Sequence, residues 1–321
     1  MRNFLTFVAV IVAIVVACAV GAILAIGRYN APGPLPATKA VVVMHGAPAT
    51  VADELAAVGV IEGSLPFRLA ALVTSGKGPL RAGEFTFPEH ASLFAVLTIL
   101  RAGKPVQHRL TIPEGLTASQ ITQIFTKATA LDGDMPKLAE GQVLPQTYAY
   151  TFGTTRQQMA DRAKAAMDRA LAQAWETRIE GLSLANPREM LTLASIVERE
   201  TARPEERAHI AAVFLNRLRA GMRLQSDPTV AYAVTNGQAT ADRNLTRAAL
   251  DQPNPYNTYT IPGLPPGPID SPGIASIQAV ARPLVSDDLY FVADGTGGHV
   301  FAANLDEHNR NVAKFRALPK P

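Results

Sequence analysis

The sequence predicts an α+β fold: one N-terminal transmembrane helix, a small strand–helix subdomain and a larger mixed α/β domain. Three observations carry that reading. Residues 4–26 form an uncharged apolar run. Residues 41 to about 127 alternate short β-rich runs with helix signals. From Asn186 onward, two strong helical patterns are followed by loops punctuated with Pro and Gly.

The 321 residues leave room for an anchor plus two compact domains. Phe4 to Ile26 has Thr6 as its only hydroxyl. At about 1.5 Å per residue the run spans roughly 34 Å, enough to cross a hydrocarbon core with some tilt. A cleaved signal peptide would have a shorter apolar stretch and a small-x-small site before a polar break. The run therefore reads as a retained anchor. Arg2 and the amine on one side balance Arg28 and Lys39 on the other, so charge alone leaves the orientation open. On this reading residues 1–3 are a short stub, cytoplasmic only on the orientation that a family resemblance given below implies, and 4–26 are the span. Residues 27–40 are a spacer in which Pro32, Pro34 and Pro36 hold the chain extended and the folded part off the bilayer.

Cys18, the only cysteine, lies inside the apolar run. Disulfides, zinc–thiolate sites and cysteine nucleophiles are thereby excluded from the rest of the chain. The net charge is +3 with Lys and Arg scattered, which leaves no nucleic-acid footprint. A slight basic bias suits a polyanionic wall or a membrane surface.

The subdomain at 41–115 opens with the apolar run Val41–Met44 and a helix capped by Thr50, with Asp53 three residues on. Phe85–Glu89 then leads into a helix over Ser92–Ala102, and Leu110–Glu114 into a third, where Thr117 and Gln120 match a capping box. A Thr-x-Pro-Glu step recurs at Thr86 and Thr111. Small strand–helix units of this kind resemble the LysM type, which binds N-acetylated sugars. A sugar-binding module and a simple packing domain both fit.

Residues 116–321 form the larger domain. An amphipathic helix is expected at 155–176, with Trp175 as a packing residue. Asn186, Pro187 and Glu189 supply an N-cap, a proline at the first helical position and a capping-box acid. The helix that follows is apolar on every face until Glu198 and Glu200, and a buried helix rarely carries carboxylates without a reason. Two residues apart, they project about 200° from each other, so one cleft is not expected to receive both. Periodicity does not choose between them. A helix-end carboxylate paired with Arg199, Arg203 or Arg207 is the preferred reading of Glu200. A second helix runs from about Pro204 to Ala220, with Gly221 past its end. Asn216 sits among its apolar residues and needs a partner.

Three segments carry a resemblance. They are Ala194–Thr201 (ASIVERET), Val213–Val230 (VFLNRLRAGMRLQSDPTV), and Tyr256–Gly273 (YNTYTIPGLPPGPIDSPG) followed by Tyr290–His299 (YFVADGTGGH). In order and spacing they are similar to the endolytic murein transglycosylase (MltG, YceG-like) family, closely over about 185–315. The resemblance implies a single-pass enzyme of the cell inner membrane, with its catalytic domain on the periplasmic side. Such an enzyme cuts the MurNAc–GlcNAc bond of peptidoglycan glycan strands beside the penicillin-binding synthases, with no cofactor.

It also implies that Glu198 is the catalytic acid/base. An apolar setting would suit a group that must hold a proton near neutral pH. Glu198 would protonate the leaving oxygen and then take the proton from O6 of the same sugar, closing a 1,6-anhydro ring without water. Asn216, Gln225, Asp227, Tyr256, Asn257, Thr258 and Tyr259 would line the cleft. Read from the residues alone, Asp227-Pro228 is equally a helix or turn cap, and Tyr256 and Tyr259 a loop packed on the core. One departure stands out: where relatives carry an acid in a Pro-Asp-Thr-Tyr segment, this chain has Gln146.

Asp294–Gly298 between two strand-like runs reads as a hairpin turn, and His299 and His308 lack acids at ligand spacing, so no metal is expected. The competing readings are a hydrolytic muramidase with Asp227 orienting a water, and an inactive wall-binding scaffold. A pyridoxal-phosphate lyase is a third, disfavoured because the chain has neither a glycine-rich phosphate loop nor an isolated Lys in an apolar strand.

Overall fold

A computed structural model describes residues 2–238 and 245–318. The described chain is mixed α+β and divides into two compact units. Unit 1 comprises Met1–His108 with Tyr150–Gly153, and unit 2 comprises Arg109–Ala149 with Thr154–Pro321.

Unit 1 begins with helix α1 (Arg2–Asn30), whose segment Phe4–Asn30 has a mean hydropathy of 3.1 and none of its residues buried. It is long and apolar enough to cross a membrane. Strand β1 (Lys39–Val43), α2 (Pro48–Ala57), α3 (Ser64–Val73), β2 (Gly83–Phe87) and α4 (Leu93–Ala102) follow. β1 and β2 pair antiparallel, with Val41 opposite Phe85. Alternation along both strands sends Val41, Val43, Phe85 and Phe87 into a core completed by Leu55, Phe67 and Leu97.

Two expectations are corrected in this unit, and one helix is added to them. Thr50 does not cap its helix: α2 starts earlier, with Ala47 at the N-cap and Pro48 at the first position. The apolar, doubly amphipathic α3 had no cap signal and was not anticipated. The spacer does not hold the fold away from the anchor. Leu35 is buried, the Gly33 N–H donates to the His90 carbonyl at 3.0 Å, and the His90 N–H donates to the Leu35 carbonyl at 2.8 Å. Apolar burial of Leu35 and two ladder-like hydrogen bonds outweigh the stiffness of alternate prolines.

The remaining elements are β3 (His108–Thr111), α5 (Ala118–Lys127), β4 (Leu131–Asp132), β5 (Thr147–Tyr150), β6 (Thr154–Thr155), α6 (Arg156–Glu176), α7 (Pro187–Glu200), α8 (Arg207–Arg219), α9 (Asp227–Thr235), α10 (Arg247–Asp251), α11 (Ile274–Ala281), β7 (Tyr290–Ala293), β8 (His299–Ala302) and α12 (Leu305–Arg316). The capping box of Thr117 and Gln120 forms at α5, and a second one forms at α6 between Thr155 and Gln158. α7 lies at the centre of unit 2, with Met190 through Val197 all buried. Its core neighbours include Met167 of α6, Ile210 and Phe214 of α8 and Ile277 and Val280 of α11. β7 and β8 form the expected hairpin, closed by Asp294 N–H to the Gly298 carbonyl at 2.9 Å. Trp175 packs on this core, with the Arg178 guanidinium 3.8 Å from its ring centre.

Candidate active site

The C-terminal end of α7 opens on a cavity of about 930 Å³ in unit 2. Four carboxylates reach it, from Glu114, Glu198, Glu200 and Asp227, together with Arg207 and His299. Both acids of the α7 terminus are therefore on one cavity, contrary to the expectation from their angular separation. α7 stops at Glu200 and the chain turns extended at Thr201. No further turn of helix divides the two faces, and the cavity wraps around the open end.

Glu198 sits in a polar cradle rather than an apolar one. One carboxylate oxygen accepts from Arg207 at 3.2 Å; the other accepts from the Gly273 N–H at 3.0 Å and the Ser276 hydroxyl at 2.7 Å. Gly273 is the N-cap of α11, so Glu198 lies where that helix presents unpaired N–H groups. Its side chain is only 6% exposed. Arg207 also approaches Glu114 at 3.6 Å. Burial and the Glu198 charge push the Glu114 carboxyl up, against Arg207. A Cβ at 273 would meet a Glu114 carboxylate oxygen at 1.9 Å, so any larger residue there must push the Glu114 side chain aside.

Glu200 is not the arginine-paired acid expected. It accepts from the Ser226 hydroxyl at 2.5 Å. Burial pushes its carboxyl up to about 7; the Ser226 bond opposes this, Asp227 adds to it and Arg217 opposes it. The acid held by one of the named arginines is Glu198. Helical spacing cannot reveal which acid meets the arginine, because Arg207 arrives from the next helix.

A smaller cavity of about 340 Å³ shares Glu200, Asp227 and His299 with the first and adds Gln225, Tyr259 and Arg217. Gln225 adopts φ +53, outside the usual range for a side chain of its kind, with its N–H held by the Thr258 carbonyl at 3.2 Å. The Tyr259 hydroxyl donates to Asp227 at 2.6 Å. His299 is fixed by Glu206, at 2.7 Å through its ring and 3.0 Å through its backbone N–H.

Of the residues named for the cleft, Asp227 lines the larger cavity with Glu198, and Gln225, Asp227 and Tyr259 line the smaller one. Four do not lie on either cavity wall. Asn216 is half-buried and donates to the Ser286 and Asp288 carbonyls at 2.7 and 3.0 Å, which supplies the partner a polar residue among apolar neighbours requires. Asn257 is buried and donates to the Leu250 and Gln252 carbonyls, tying its own loop together. The Thr258 hydroxyl accepts from Ser226 N–H, and the Tyr256 ring packs at 4.7 Å from Tyr232. Gln146 also stands off both cavities, with its carbonyl accepting from Ile112 N–H at 3.1 Å. Sequence reasoning missed Glu114, Ser276 and His299 as wall or cradle residues, and named Arg207 only as one of three possible partners for an acid at the end of α7. The recurring Thr-x-Pro-Glu step was the one available signal, since it ends on Glu114. Among the described residues no cluster of three or more His, Cys, Asp or Glu could hold a metal ion.

The geometry defines a class first: an α+β protein whose central buried helix delivers carboxyl groups to an open, polar cavity. The family model that describes the YceG-like family matches residues 41–314. A protein of Streptococcus pneumoniae serotype 2 (strain D39) named endolytic murein transglycosylase is 34% identical over 284 residues, covering 73% of this chain and 50% of the relative. A Bacillus subtilis (strain 168) protein of the same name is 35% identical over 176 residues, covering 55% of this chain and 48% of its own. A crystal structure of a yceG-like protein from Listeria monocytogenes shares 28% identity, with a TM-score of 0.55 over 85% of this chain and 98% of that one. The chain belongs to the YceG-like family. It spans about half the length of the curated relatives it matches.

Proposed function

We propose that this protein is an endolytic peptidoglycan lytic transglycosylase, a carbon–oxygen lyase that cleaves the MurNAc–GlcNAc bond of glycan strands and leaves 1,6-anhydro-MurNAc ends. One observation carries the reading: the buried α7 ends by delivering Glu198, fixed by three donors, to a cavity large enough for a sugar chain. The names of the relatives supply the substrate class.

In this scheme Glu198 protonates the oxygen leaving C1. The substrate's own O6 then attacks C1, and the carboxylate removes the O6 proton as the anhydro ring closes. No water enters the products. Arg207, Gly273 and Ser276 hold the carboxylate in one position between the two proton transfers, and Gln225, Asp227 and Tyr259 bind the strand.

The enzyme works on nascent strands beside the penicillin-binding synthases, held by α1 in the cell inner membrane with its folded units on the periplasmic side. The order β1, α2, α3, β2 supports a LysM-like subdomain, placed at 41–115 by the sequence, with the catalytic domain at 116–321.

A second assignment within the same reaction is favoured by Glu200, which lines the same cavity and whose carboxyl is pushed up to about 7. Mass spectrometry of muropeptides after digestion of glycan strands by the full chain tests both. Anhydro-ended internal fragments, lost in Glu198→Gln and retained in Glu200→Gln, are expected. Loss in Glu200→Gln alone would move the proton donor to Glu200. Reducing-end products would make the protein a hydrolase and turn attention to Asp227. No cleavage by a folded, strand-binding chain would mean a scaffold.

A further inference from the structure

The outer face of α3 is apolar as well as its inner one. Phe67 and Ala71 are buried in the core of unit 1. Leu65, Leu69, Leu72 and Val73 are 63%, 54%, 70% and 84% exposed. At about 100° per residue these four fall within an arc of roughly 100°, the width of a face made to be covered. Arg68 lies at its edge and Lys77 just past the end of the helix, both exposed.

The two ends of α3 lie near the last turns of α1, the first across a shared pocket and the second by way of Phe94 of α4. At its start, Pro66 and Arg28 line one small pocket of about 170 Å³ together with Pro32 and Gly33. Past its end, the Lys77 ammonium lies 5.8 Å from the Phe94 ring centre, and that ring packs edge-on at 5.7 Å against Tyr29 in the last turn of α1. The apolar segment Phe4–Asn30 is 27 residues long. At about 1.5 Å each it covers roughly 40 Å, more than the hydrocarbon core of about 30 Å, so its last turns rise into the headgroup layer. α3 is thereby held at the level where α1 leaves the hydrocarbon. The docked spacer removes the slack that would let unit 1 lift away.

We propose that α3 lies on the bilayer surface with the Leu65, Leu69, Leu72 and Val73 arc sunk at the headgroup–acyl boundary, so that unit 1 is seated on the membrane rather than tethered above it. The occupant of this face is lipid. The arc supplies the apolar area of an interfacial helix, and Arg28, Arg68 and Lys77 meet anionic headgroups at its edge. The inference rests on α1 being a membrane span, and the test separates the two.

The full chain is reconstituted in vesicles of phosphatidylcholine and phosphatidylglycerol and labelled with an environment-sensitive dye, with a nitroxide lipid quencher at headgroup–acyl depth. Dye on the native Cys18 reports insertion of α1. Leu72→Cys in a Cys18→Ser background reports α3. Thr86→Cys in that background reports the outward face of the β1–β2 sheet, because Phe85 and Phe87 on either side of Thr86 point into the core. The expected result is a blue shift and loss of most of the Leu72→Cys emission to the quencher, with Thr86→Cys unaffected. Adding Leu69→Glu and Val73→Glu should restore the Leu72→Cys emission while Cys18 in its own sample stays in lipid. Emission at Leu72→Cys matching Thr86→Cys, with α1 inserted, overturns the proposal. So does a blue shift that the lipid quencher cannot reach, which would place a second copy or another protein on this face. A water-exposed Cys18 dye would instead remove the membrane-span reading and the proposal with it.

Discussion

Carboxyl groups buried without a countercharge create a pH-dependent liability. Burial pushes two carboxyls up to about 7 from an unfolded value of 4.5: that of Glu200 on the cavity, and that of Glu140, which lies off it and accepts from the Ala118 N–H. Between those values the unfolded chain has released these protons and the folded chain has not. The stabilisation is fully present below pH 4.5 and is lost as pH rises to 7, because folding must then keep a carboxylate charged in a poorly solvated place. Urea unfolding at pH 5 and pH 8 should show a smaller fall in stability for Glu200→Gln than for the wild type. An unchanged pH slope would mean that the Glu200 carboxyl is better solvated than its surroundings imply. Gly273 has a different sensitivity. In Gly273→Ala the new methyl must displace Glu114 or the start of α11, at a cost of about 1–3 kcal/mol. Strand cleavage should fall more than thermal stability, since the Gly273 N–H also holds Glu198. A fully active, equally stable variant would show that the Glu114 side chain swings away freely.

At the scale of elements, α7 explains itself from both ends. Asn186 accepts from the Glu189 N–H at 3.0 Å, and Pro187 occupies the first helical position. Glu189 reaches the Ala185 N–H at 2.7 Å instead of closing the box on the cap residue itself. Asn186→Ala should cost about 1 kcal/mol in equilibrium unfolding. It should leave product chemistry unchanged, because the acids sit at the far end of the helix. A change in product ends would contradict that independence. α7 was legible because caps and periodicity are local. α3 was not: it lacks a capping side chain and is apolar on two opposite faces, so no single stripe marks it. The loop around Asn257 was legible as a motif but not as a structure, and its most specific residue is spent on its own backbone.

At the scale of the whole molecule, the join between α1 and the rest of unit 1 is where polymer intuition and packing diverge. Alternate prolines suggest a spacer, yet Leu35 is buried and Gly33 lies against the backbone of Ala91. A Cβ at Gly33 would meet the Ala91 carbonyl oxygen at 2.2 Å, so Gly33→Val should undock the segment. Limited proteolysis of the membrane-reconstituted chain should then cut within 31–38 in the variant and spare the wild type. Equal protection would mean that the segment is held by Leu35 alone.

The sequence alone determined the long apolar N-terminal helix, the mixed α+β class, the helices with caps, the hairpin at Asp294–Gly298 and the segment that carries Glu198. Each is written in neighbouring residues, as a period, a cap or a run. Only the tertiary structure decided that Glu198 and Glu200 share a cavity, that Arg207 and Gly273 hold the first, and that burial, with the Asp227 charge, raises the second against its Ser226 bond. It also decided that Glu114 joins them from a loop 84 residues before Glu198. The physical reason is that a carboxyl group's charge and reach are set by what surrounds it in space. Those neighbours come from α8, α9, α11 and the 114–116 loop, which no local pattern connects.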